Sequence, residues 1–212
     1  MICIIIPVKR LEFAKSRLSE ILSKEQRVEL SIYLLEDLLS VIKACNIFDI
    51  IIIGYDQSIE SMASSFNIIF IHERGEGVNN AIRLADKYMD RFEASIVIPI
   101  DLPLLEPIDL MIIKDISNSI KNGIIITPSY RLDGTNLLLR KPPLVMETYY
   151  DMDSYLLHIQ KAREKGLEVK ILLNERIMHD LDSIEDINYL LNTKSNKKSI
   201  LYLKDIMAKN IK

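Results

Sequence analysis

Asp101 ends the apolar run Ser95-Ile96-Val97-Ile98-Pro99-Ile100, and Asp101-Leu102-Pro103-Leu104-Leu105 then turns the chain away. A carboxylate at that point suits Mg2+, which takes one or two carboxylates together with phosphate oxygens and waters. The same residue could simply close the turn before Pro103. Asp180 and Asp182 stand at i and i+2 of an extended segment, so both side chains face one way. Ser183, with Asp186 three residues on, caps the helix that follows and leaves Asp182 free to meet Asp101. Which of the two acids does so stays open. Lys9, Arg10, Lys15 and Arg17 cluster after the first apolar run, and Ser16 is a candidate helix start. Cations beside backbone N–H groups at a helix start make a polyphosphate cradle; any one of them could equally be a solvated basic residue.

Other polar residues carry weaker signals. Gly75-Glu76-Gly77-Val78-Asn79-Asn80 opens a helix, where Gly77 allows close backbone approach and Asn79 either reads a base edge or serves as an ordinary helix-start residue. Asp133-Gly134-Thr135-Asn136 is a turn with donors at its exit. His158, one turn beyond Ser154, either meets a phosphate or is a satisfied core histidine, and His72 is read as structural. No Walker A or G-x-G-x-x-G pattern occurs, which argues against P-loop and Rossmann cofactor chemistry.

The elements that position these residues alternate. Apolar runs at 2–6, 49–54, 67–71, 95–100 and 123–127 read as strands buried on both faces. Segments 24–45, 57–65, 77–92 and 107–121 place apolar residues at helical spacing, most clearly Leu30, Leu34, Leu35, Leu38, Leu39 and Ile42. Such repetition predicts an α/β fold with a mostly parallel central sheet and helices on both faces. Beyond Pro128 the pattern predicts a strand at 135–140, helices at 142–149 and 152–166, a strand at 168–172 and a helix after Ser183. Residues 1–192 then form a single domain, and 193–212 a linker and C-terminal helix. Ligands of open sheets sit beyond the carboxyl ends of the strands. The polar residues placed there are Lys9, Asp56, 73–79, Asp101, 129–135, Asp180 and Asp182.

Composition narrows the class. The 212 residues are 49% hydrophobic with a net charge of −3, and nothing there suggests a duplex-DNA binder, where a basic face is expected. Cys3 and Cys45 lie in apolar runs and read as small core residues. The first run is too short for a signal sequence or a membrane span, so a cytoplasmic protein without membrane partners is expected.

Taken in order, the motifs resemble those of the 2-phospho-L-lactate guanylyltransferases. The resemblance rests on Ile6-Pro7-Val8-Lys9, Ala14-Lys15-Ser16-Arg17-Leu18, Gly77-Val78-Asn79-Asn80-Ala81-Ile82, Asp101-Leu102-Pro103-Leu104-Leu105, Gly134-Thr135-Asn136 and Asp180-Leu181-Asp182-Ser183-Ile184-Glu185-Asp186. It implies a nucleotide-diphospho-sugar transferase (glycosyltransferase-A-like) architecture. It also implies a Mg2+-dependent homodimer that moves GMP from GTP to 2-phospho-L-lactate, or to phosphoenolpyruvate or a related three-carbon phosphoacid, with release of pyrophosphate, in coenzyme F(420) biosynthesis. Carried over by motif, Asp101 and Asp182 hold Mg2+. Lys9, Lys15, Arg17, Gly77, Asn79 and Asp101 bind nucleotide, with Lys15, Arg17 and Asp101 catalytic. Thr135, Asn136, Ser154 and His158 bind the phosphoacid. Two positions depart from the family pattern: Asp133 precedes a single Gly134, and Asp151 stands where relatives often have glycine. Both fall around the acceptor pocket. The rival readings are another nucleotidyltransferase, making a nucleotide sugar or activated phosphoacid, and a receiver-like signalling module.

Overall fold

The apolar runs form one seven-stranded sheet in the order β3-β2-β1-β4-β6-β5-β7. The structure is a computed structural model and describes residues 1–150 and 153–210. The strands are β1 (Ile2–Pro7), β2 (Phe48–Gly54), β3 (Ile69–His72), β4 (Ala94–Val97), β5 (Gly123–Pro128), β6 (Thr135–Lys141) and β7 (Glu168–Ile171). All run parallel except β6, which lies antiparallel between β4 and β5. The mostly parallel sheet read from the sequence is therefore present.

Alternation along β1 shows why the run must be uniformly apolar. Ile2, Ile4 and Ile6 pack under α1 (Lys24–Cys45), α2 (Gln57–Ser65) and α4 (Pro107–Ser117), whereas Cys3 and Ile5 pack under α3 (Val78–Asp86). Further along the sheet, Ile124, Ile126 and Leu138 are covered by α5 (Ser154–Glu164). Helices thus lie on both faces. A short α6 (Glu175–Met178) leads to α7 (Ile184–Leu191) and α8 (Lys198–Asn210).

Two expected helices differ. Residues 142–149 form turns, because their polar groups are spoken for elsewhere: the Met146 carbonyl accepts from Arg140, and Tyr149 N–H donates to His158. Pro142 and Pro143 also remove two N–H groups. The run 77–92 breaks after Asp86 and finishes as a 3-10 turn, Met89–Arg91, which brings Met89 and Phe92 into the layer beneath α3. Met152, the expected start of α5, lies outside the described residues, as do positions 211 and 212.

The strand order reverses between β1 and β4, and a ligand crevice opens at the carboxyl ends of strands flanking such a point. There the chain leaving β1 presents Lys9, and the loop after β4, which ends at Val97 and not at 100 as expected because Pro99 has no N–H for the ladder, presents Asp101. Near β6, register supplies a second device. Thr127 pairs with Leu137 but Pro128 pairs with Thr135, so Asn136 is an extra residue on β6. That bulge sends Thr135 and Asn136 to faces they would not reach in regular alternation.

Helix α8 packs on its own chain. Ile200, Leu203 and Ile206 are buried against Leu30 and Leu34 of α1 and Ile187 and Leu190 of α7. No helix among the described residues is long and apolar enough to cross a membrane. Leu203 is fully buried. Leu203→Ala is expected to cost about 2–5 kcal/mol in urea unfolding, and an unchanged midpoint would show that α8 is not docked this way.

Candidate active site

The loop after β1 is pinned before it presents any charge. Val8, Leu11 and Leu18 are buried, Leu11 N–H donates to Asp56 (3.0 Å), and Arg27 holds the Ala14 carbonyl (3.2 Å). Between two one-turn 3-10 helices, Leu11–Phe13 and Ser16–Leu18, Lys15 takes the left-handed conformation (φ 51°). A non-glycine residue there costs about 1 kcal/mol or more and persists when its surroundings fix it. Those surroundings are visible. The Lys15 side chain is 6% exposed, and its ammonium donates to Asp101 Oδ2 (2.7 Å) and the Leu181 carbonyl (2.5 Å). Arg17 pairs with Asp182. Arg10 turns away, lying over the Tyr55 ring (3.8 Å) and donating to the Arg74 carbonyl (3.2 Å).

Lys15 thereby joins β4 to the segment after α6, residues 179–182. That segment is fixed from two other directions. Asp109 on α4 is fully buried and accepts from Arg176 Nε (2.9 Å) and Nη2 (2.5 Å), from Asn174 (2.7 Å) and from Glu106 N–H (2.9 Å). Burial alone would raise its pKa, but these bonds outweigh burial and hold the carboxyl below the usual range. From β6, the bulged Asn136 donates to the carbonyls of Ile177 (2.9 Å) and Met178 (3.1 Å) and to Asp180 Oδ1 (3.2 Å). Asn136, expected in the acceptor pocket, instead holds the acidic segment.

Asp180 and Asp182 flank the buried Leu181, whose N–H donates to the Asp101 carbonyl (2.9 Å). Burial raises the Asp180 pKa to about 6, and the charge of Asp101 adds to the effect. Of the two acids, Asp180 is therefore the one electrostatically coupled to Asp101, while Asp182 is engaged by Arg17 and its N–H goes to Asp186. Two carboxylates share this corner with the single ammonium of Lys15. A divalent cation would supply the missing positive charge. Among the described residues no three His, Cys, Asp or Glu side chains converge on one point. The corner offers a pair, the number Mg2+ uses alongside phosphate oxygens.

On the far side of β6, Thr135, Ser154 and His158 form one buried chain. His158 Nε2 accepts from Tyr149 N–H (2.8 Å), so the neutral ring carries its proton on Nδ1 and donates to Thr135 Oγ1 (3.0 Å). Ser154 Oγ also donates to Thr135 Oγ1 (3.1 Å). With both lone pairs taken, the remaining capacity of Thr135 is its O–H donor. His158 does not bring a positive charge to a phosphate: it is buried and stands behind Thr135. Asn79 accepts from Tyr150 N–H (2.8 Å), tying the start of α3 to this region. Asp151 lies outside the described residues.

A cleft of about 470 Å3 opens beside the basic loop, lined by residues 7–10 and by Glu73, Gly77, Val78 and Ala81 among others. Lys9, exposed, stands on its wall. Gly77 (φ 95°) needs the conformation only glycine adopts freely, and a Cβ there would meet nothing within 4 Å. Main chain thus forms part of the cleft surface.

Fold and corner together define an α/β nucleotidyltransferase architecture. It is similar to a protein assigned to the nucleotide-diphospho-sugar transferases from Desulfovibrio desulfuricans G20, with TM-score 0.78, 19% identity and coverage of 98% of this chain and 95% of that one. It is also similar to 4-diphosphocytidyl-2C-methyl-D-erythritol synthase from Anaerococcus prevotii, with TM-score 0.61, 14% identity and 96% coverage of each chain. These likenesses concern the fold. The chain belongs to the family described as "Guanylyl transferase CofC like", whose model matches residues 2–210. Among relatives, the 2-phospho-L-lactate guanylyltransferase of Methanocaldococcus jannaschii is 35% identical over 205 residues, 96% of this chain and 88% of that protein. The phosphoenolpyruvate guanylyltransferase of Roseiflexus sp. (strain RS-1) is 33% identical over 186 residues, 88% and 83% respectively. The protein is a guanylyltransferase-family enzyme.

The chain behind Thr135 makes stability depend on pH. Burial lowers the His158 pKa from 6.5 to about 4. Between those values the unfolded chain binds a proton that the folded chain refuses, so stability falls as pH falls from about 6.5 towards 4, by on the order of 3 kcal/mol. Urea titrations of wild type and His158→Gln across that window should show a shallower slope in the variant. Parallel slopes would contradict the assignment.

Proposed function

We propose that this enzyme transfers GMP from GTP to a three-carbon phosphoacid, 2-phospho-L-lactate or phosphoenolpyruvate, releasing pyrophosphate, as a step of coenzyme F(420) biosynthesis. The observation that carries the reading is the corner at the ends of β1 and β4. There Lys15 faces Asp101 and Asp180 beside a cleft large enough for a nucleoside. The names of the relatives supply the two acceptors. The reading includes Mg2+ as cofactor and a homodimer.

An acceptor phosphate is already ionised at neutral pH, so its oxygen attacks the α-phosphorus of GTP without a general base, and the bond to the pyrophosphate oxygen breaks in line. The protein contributes placement and charge. Lys9, Lys15 and Arg17 would neutralise the triphosphate, and the Thr135 O–H would orient the acceptor. Mg2+ would be held by Asp101 and the neighbouring acids, Asp180 facing it and Asp182 once Arg17 turns to phosphate. The ion would supply charge neutralisation of the phosphates.

Pyrophosphate release from GTP with Mg2+, run across phosphorylated three-carbon acids and sugar phosphates, tests the reading. Release is expected with one or more of the acids. Asp101→Ala, checked for folding by circular dichroism, should lower turnover by roughly two or more orders of magnitude. Release with sugar phosphates alone would favour a nucleotide-sugar enzyme, and near-normal activity of the variant would remove Asp101 from the chemistry.

A further inference from the structure

The cleft contains one acid for which the corner chemistry has no use. Glu73 follows β3 directly, and its N–H donates to the Gly54 carbonyl (2.8 Å), which fixes it against β2. Its side chain lines the cleft although only 9% of the residue is exposed. Oε1 accepts from Glu76 N–H (2.5 Å), which sets the carboxylate in one orientation, and among the described residues Oε2 has no hydrogen-bond partner. The half of the carboxylate left over from that bond faces the cleft, where a ligand N–H can reach it.

We infer that Glu73 is the residue that selects guanine. The inference rests on the nucleotide reading given above and adds the group that recognises the base. An ionised carboxylate only accepts, through two oxygens side by side. Guanine offers two adjacent donors, N1–H and the 2-amino group, which match that pattern. Adenine presents an unprotonated N1 at the corresponding place, and its lone pair would face the carboxylate charge. A site built to receive N–H groups rejects a ligand that lacks them, because its buried acceptor is left unpaired. The surrounding wall is compatible with a flat base. Gly77 (φ 95°) leaves side-chain-free backbone on that side, the Arg10 guanidinium lies against Gly75, and Val78 and Ala81 add apolar surface.

The bland alternative is that Glu73 serves only to fix the turn at residues 73–76 through Oε1. The two roles separate by substitution. Glu73→Gln keeps an oxygen for Glu76 N–H and places an NH2 donor where Oε2 stood. That donor opposes the guanine amino group but suits the 2-oxo group of xanthine.

Calorimetric titration of the full-length protein with Mg2+ complexes of GTP, ITP, XTP and ATP reads the base preference without any acceptor. Wild type is expected to bind GTP more tightly than ITP, which lacks the 2-amino group, and far more tightly than ATP. Glu73→Gln should weaken GTP by about 10- to 100-fold, bring it close to ITP, and strengthen XTP. Gain of XTP binding cannot arise from misfolding. The inference is overturned if the variant keeps the wild-type order of the four nucleotides, including an equal weakening of all of them, or if wild type does not prefer GTP. A wild-type guanine preference lost in the variant, together with no turnover of any phosphoacid, would uphold Glu73 and overturn the acceptor reading instead.

Discussion

The ammonium of Lys15 bridges Asp101 Oδ2 and the carbonyl of Leu181, and most of the site's geometry hangs on that contact. It connects three stretches far apart in sequence: the loop after β1, the end of β4 and the segment after α6. One nearly buried positive charge serves two carboxylates there, and Asp180, buried and beside the charge of Asp101, keeps its proton more readily than an ordinary aspartate. Removing one partner of a buried pair costs about 3–5 kcal/mol in the deep interior. Asp101, with 24% of its side chain exposed, sits where solvent reduces that figure.

The bridge works because its far end does not move. Asp109 gathers Arg176 and Asn174, and Asn136 spends its amide on two carbonyls and on Asp180. Asp109 anchors side chains at the start of α6, and Asn136 holds backbone that belongs to no sheet. Such groups let an irregular segment hold its carboxylates in place as a strand would. The bulge on β6 completes the arrangement by splitting neighbouring residues between tasks. Asn136 goes to the acidic segment, and Thr135 goes to the chain built with Ser154 and His158.

Much of this was legible in the sequence, for identifiable reasons. The isoleucine-rich runs could only be strands covered on both faces, and an aspartate closing one of them stood out by position. The basic loop was readable because Lys15 and Arg17 follow β1 directly. Residues 142–149 misled because their apolar spacing is real, yet side chains from α5 and β6 claim their polar groups. Asn136 and His158 were recognisable as site residues, but their directions depended on a one-residue bulge and on burial, which no spacing encodes. Asp180 and Asp182 could not be told apart for a related reason: the difference lies in what Arg17, 165 residues from Asp182, and Asp101, on another element, do to each of them. Glu73 lay among the polar residues after a strand, and only its burial in the cleft sets it apart.

In the proposed reaction, Lys15 ties Asp101 to the Leu181 carbonyl until a metal-bound triphosphate takes over the charge of the corner. A crystal structure of the protein with Mg2+ and a non-hydrolysable GTP analogue tests it most directly. The metal is expected on Asp101 and on Asp180 or Asp182, with the Lys15 ammonium moved onto a phosphate oxygen. An intact Lys15–Asp101 pair, with the metal and triphosphate bound elsewhere, would contradict it.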